Sequence, residues 1–132
     1  MMGLRTLLLP ASPRRLRHRR ALRTALRSVH ILAVGIYVGG VVFAVAATAL
    51  VPWLVIAIAT GVSLLALELH ESCAVLAEAR GLATLVKLAL LALAHAQPAW
   101  APLLLGVAVL LASVASHMPG EWRHWRPFAP RR

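Results

Sequence analysis

Acidic side chains are almost missing from this chain. Four glutamates stand in 132 residues against fourteen Lys and Arg, so the formal charge is +10, and no acid precedes Glu68. Cysteine is scarce too: Cys73 stands alone, which excludes an internal disulfide and any cysteine-built metal site within one chain. The signatures of soluble enzymes are absent. There is no glycine-rich phosphate loop, no His-Glu-x-x-His zinc helix and no nucleophile elbow. Charge itself is confined, since no Asp, Glu, Lys or Arg occurs between Val29 and Leu67. The expectation is a chain that is not an enzyme by itself.

What is present is apolar. The composition is 61% hydrophobic, with a mean hydropathy of +0.80. A small domain in water buries only about 60–70% of its unfolded surface, so this much apolar surface calls for lipid. Arg and Lys elsewhere suggest nucleic acid. Here they lie outside the apolar segments, where membrane topology and anionic lipids account for them. The expected partners are therefore the lipid bilayer and its anionic lipids, not nucleic acid.

Hydropathy divides the chain into residues 1–28, a basic cytoplasmic or interfacial segment; 29–118, a transmembrane domain; and 119–132, a basic aromatic cytoplasmic tail. From Arg14, the spacing of Leu16, Leu22, Ala25, Leu26 and Val29 predicts an amphipathic basic helix running into the first span. The uncharged run is too long for one crossing, which takes about twenty residues. Leu50-Val51-Pro52-Trp53 is its natural break, giving spans at 29–50 and 52–69. Proline suits a first helical turn and tryptophan an interface. A polar connection from Glu68 to Arg80 follows, then spans at 81–96 and 102–118, ended by Pro98 and Pro119.

Four spans place every charged residue on or near one side, and the positive-inside rule makes that side cytoplasmic. The expected fold is all-α: a polytopic four-helix transmembrane bundle of a bacterial inner membrane, with both termini in the cytoplasm.

Intramembrane ionisable residues call for a named partner. Glu68 and Lys87 are expected at similar depth on neighbouring helices, as a structural ion pair or a proton- or ion-handling site. His30, His70 and His117 lie at the ends of three different spans on the cytoplasmic side. One ligand per helix at matched depth is what a metal or haem site in a bundle requires, although polar residues gather at helix ends anyway. Gly35-xxx-Gly39 permits close helix crossing, within the chain or between copies. Trp122, Trp125 and Phe128 among Arg123 and Arg126 suit a headgroup anchor.

Ala-Leu-Glu-Leu (66–69), Ala-Arg-Gly-Leu-Ala-Thr-Leu-Val-Lys-Leu (79–88) and Ser-His-Met-Pro-Gly (116–120) resemble a small uncharacterised family of bacterial four-helix integral membrane proteins. That resemblance covers residues 61–125 and implies the fold, with no established activity. Ser-Val-His-Ile-Leu-Ala-Val-Gly-Ile-Tyr-Val-Gly-Gly (28–40), with Lys-Leu-Ala-Leu (87–90), is similar to copper-resistance protein D-like membrane domains. It implies copper handling or a haem b site, with His30 as the matching residue. The chain has half the spans of the larger copper proteins and no Met- or Cys-rich copper path, and the first 28 residues match neither pattern. The functional expectation is a binding or accessory subunit handling haem or copper through His30, His70 and His117. The alternatives are a small proton-coupled transporter, a homodimer using Glu68 and Lys87, and an assembly factor for a larger membrane complex.

Overall fold

The computed structural model describes residues 18–71, 73, 78–123 and 125. Among the described residues all the regular structure is helical, without strands. The elements are α1 (Arg19–Val42), α2 (Ala47–Glu71), α3 (Ala79–Ala96), a 3-10 turn (Pro98–Trp100), α4 (Ala101–His117) and α5 (Gly120–Arg123). They form two compact units, Met1–Cys73 and Ala74–Arg132. Most of the expected basic segment, residues 1–17, lies outside the described residues, as do His124 and residues 126–132 of the tail.

In the first unit α1 and α2 pack as an antiparallel hairpin. Its turn corrects the expected break at residues 50–52: α1 ends at Val42 and α2 begins at Ala47. The reason lies in the backbone. Val45 N–H donates to Gly40 O at 2.8 Å, and Ala44 N–H to Val41 O at 3.2 Å. These are the paired bonds of a Schellman ending, whose left-handed position glycine usually fills. Here Ala44 fills it, at φ 53°. Pro52 instead sits in the second turn of α2, where its missing N–H removes one backbone bond close to the helix start.

The seam between the helices is built mostly from small residues. Ala33 of α1 and Leu50, Ala57 and Thr60 of α2 are buried. A Cβ on Gly40 would collide with the Leu50 side chain, so that glycine lets the helices close near the turn. At the other end Arg19 Nε and Arg23 Nη2 both pair with Glu71 Oε1, the latter at 3.1 Å. Each of these charges stands at the unfavourable pole of its own helix dipole, cations at an N-terminus and an anion at a C-terminus. Antiparallel pairing corrects this, because Glu71 then faces the positive end of α1.

In the second unit α3 packs against α4. Gln97 N–H donates to Leu93 O at 2.8 Å, closing α3 before the Pro98–Trp100 turn. Ala94, Leu105 and Ala108 are buried. Pro119 ends α4, and the chain turns back through α5 until Trp125 O accepts from Ala79 N–H at 2.9 Å. One unsatisfied donor of the α3 N-terminus thus gains a backbone acceptor. Glu78, buried at the same end, brings negative charge to the positive pole of α3.

Many of the large apolar side chains point outward. Ile31, Leu32, Val55, Ile58 and Val62 are more than half exposed in the first unit, and Leu103, Leu110 and Val114 in the second. Arg19–Val42, Ala47–Glu71 and Pro98–His117 are each long and apolar enough to cross a membrane. The apolar stretch of α3, Gly81–Ala96, is shorter. Length and composition therefore qualify three helices, where four spans were expected.

Candidate functional site

The most developed polar site lies on the α1–α2 seam around His30. The helix start at Arg19 sets His30 near the middle of α1. Opposite it, α2 supplies Ala57, Thr60 and Gly61. His30 Nδ1 lies 3.0 Å from Ala57 O and 3.0 Å from Thr60 Oγ1. A carbonyl can only accept, so Nδ1 carries the hydrogen. The Thr60 hydroxyl directs its own hydrogen back along α2, 2.7 Å from Ile56 O, and a lone pair of its oxygen faces His30.

Gly61 makes the room. A Cβ there would stand 3.0 Å from His30 Cε1, inside ordinary van der Waals distance. Glycine is thus needed where the imidazole lies across α2, a requirement that the sequence pattern placed elsewhere. Cβ atoms on Gly35 or Gly39 of the GxxxG pattern would meet nothing within 4 Å. In the first hairpin the close-approach glycines are Gly40 and Gly61.

His70 is exposed in the last turn of α2. Ten positions separate it from Thr60, roughly 15 Å along the helix, so His30 and His70 do not meet within the first unit. His117, in the second unit, closes α4 and donates from Nδ1 to Ser113 O at 2.9 Å. Among the described residues, no group of three or more His, Cys, Asp or Glu side chains is placed to hold a metal ion. Glu68 belongs to α2 and Lys87 to α3, each half-buried in its own unit.

Sequence reasoning missed the Arg19–Arg23–Glu71 cluster. A signal existed: Glu71 is one of only two acids in the last turn of α2, and an antiparallel hairpin turning near residue 45 brings it opposite Arg19. Misplacing the turn hid the pairing. Residues Leu22, Leu26, Ser63, Ala66, Leu67 and His70 line an open groove of about 520 Å³, whose α1 wall begins one helical turn after Arg19.

No family model, curated protein or solved structure matches this chain.

Proposed function

We propose that this chain is a multi-pass protein of a bacterial cytoplasmic membrane. It crosses four times through α1, α2, α3 and Pro98–His117, keeps both termini in the cytoplasm, and serves as a binding or accessory subunit. The observation that carries the reading is the packing, with a small interior built mostly from alanine beside Leu50 and Leu105, and most of the large leucine, isoleucine and valine side chains exposed. Each such side chain left in water forgoes about 1.5–3 kcal/mol. A few of them together rival the whole stability of a domain, about 5–15 kcal/mol. Lipid removes that penalty. The charged ends of α1 and α2 and the 69–81 connection then share the cytoplasmic face, and α3 reaches across by local thinning of the bilayer.

A binding role is favoured over chemistry because the polar groups that meet across the first hairpin hold one another in place. His30 is held by Thr60 and Ala57, and Arg19 and Arg23 by Glu71. Extraction and topology test the reading together. The protein should resist a carbonate wash and dissolve only with detergent, and reporters inserted at 69–81 and at the C-terminus should be cytoplasmic. A chain that stays in solution without detergent overturns it.

The haem or copper reading has one specific support. His30 and His117 each donate Nδ1–H to a backbone carbonyl, the tautomer that puts the lone pair of a neutral imidazole on Nε2, where a metal-ligating histidine needs it. Purified protein with a Soret band or bound copper, lost in His30→Ala, supports this reading. Colourless, copper-free protein removes it.

A further inference from the structure

The groove on the first hairpin has a chemical polarity of its own. Its walls are Leu22 and Leu26 of α1 and Ser63, Ala66 and Leu67 of α2, and His70 stands at its upper end. From Ser63 to His70 it runs roughly 10 Å along α2, the length of the upper part of an acyl chain. One helical turn above Leu22 come His18 and Arg19, and one turn above Leu26 comes Arg23. There, two guanidinium groups share a single carboxylate oxygen of Glu71. The head of the groove therefore carries two cations against one anion, while its floor is hydrocarbon.

We propose that this groove binds one anionic phospholipid, its phosphate at the Arg19–His70 end and an acyl chain along Leu22, Leu26 and Ala66. The inference rests on the membrane reading above and deepens it by naming a lipid class and a place. Charge complementarity selects the occupant. A zwitterionic headgroup gains less from the surplus cation, and free phosphate has nothing to lay against the apolar floor. Arg20 supplies an internal control. It stands two residues before Leu22 and points to the opposite side of α1, since two positions turn the helix through about 200°. Losing either arginine changes the net charge equally, but only Arg19 adjoins the groove.

The test uses the full chain in nanodiscs containing phosphatidylglycerol and phosphatidylcholine, with retained lipid counted by native mass spectrometry after release into detergent. Wild-type protein should retain one phosphatidylglycerol in preference to phosphatidylcholine, and added inorganic phosphate should not displace it. Arg19→Gln should weaken that retention about five-fold, the equivalent of one headgroup cation at about 1 kcal/mol. Arg20→Gln should leave it unchanged. Ala66→Leu, which fills the groove and leaves the arginines in place, should abolish retention while helicity and melting temperature hold. Equal retention of both lipids, equal effects of Arg19→Gln and Arg20→Gln, or unchanged retention in Ala66→Leu overturns the proposal. Failure of the membrane reading would show differently, as wild-type protein that never enters the nanodisc.

Discussion

The imidazole of His30 lies across Gly61, so close that the first carbon of any side chain at position 61 would stand 3.0 Å from Cε1. The ring cannot simply move aside, because Nδ1 is held at 3.0 Å by both Ala57 O and Thr60 Oγ1. Gly61→Leu should therefore overpack the seam and lower stability by about 1–3 kcal/mol. His30→Ala in the same chain should recover much of the loss. A double-mutant cycle on detergent-solubilised protein, read by thermal melting, checks this; additive effects would show that the two residues do not share space.

Thr60 acts on the same ring by a different route. Thr60→Val keeps the shape and removes the acceptor, leaving His30 with Ala57 O. The expected destabilisation is about 0.5–1.5 kcal/mol, the net worth of a typical hydrogen bond. Thr60→Ser should restore most of it.

Ala44 holds a left-handed conformation that glycine adopts without strain, at φ 53°. Ala44→Gly should raise stability by about 1 kcal/mol, and Ala44→Val should lower it by more. An unchanged melting temperature in both would mean that the turn is formed differently.

The Glu71 carboxylate is 13% exposed and its partners Arg19 and Arg23 are 30% and 23% exposed. Their association is neither a surface pair nor a dry one. Glu71→Gln should lower stability on the order of 1 kcal/mol, and the difference from wild type should shrink as salt rises. A salt-independent difference would assign the effect to packing.

Gly35 and Gly40 separate the two uses of glycine on α1. Gly35→Ala adds a methyl group in open space and should gain up to about 1 kcal/mol of helix propensity. Gly40→Ala drives into Leu50 and should give a lower melting temperature than Gly35→Ala.

The helices of the second unit were largely legible in the sequence. Pro98 and Pro119 fall just beyond α3 and α4, and the expected bounds 81–96 and 102–118 differ from Ala79–Ala96 and Ala101–His117 by two residues at most. The first hairpin was less legible. Pro52 drew the break toward itself, whereas the true turn is closed by backbone bonds around Ala44, a residue type that announces no turn. That displacement shifted which residues of the two helices face each other, so that His30 meets Ala57 and Thr60 across the seam. It also hid the pairing of Glu71. The small-residue pattern named the right helix but the wrong glycines, since GxxxG records spacing and not which face meets a neighbour.

The bond from Ala79 to Trp125 joins two main-chain atoms. Side chains at both positions can change without touching it, so relatives that keep this clasp need share no letters there. Proline at 79 would abolish it, having no hydrogen to give, and a chain cut short of residue 125 would lose the acceptor. Tags on this protein should accordingly follow residue 125 instead of replacing what precedes it.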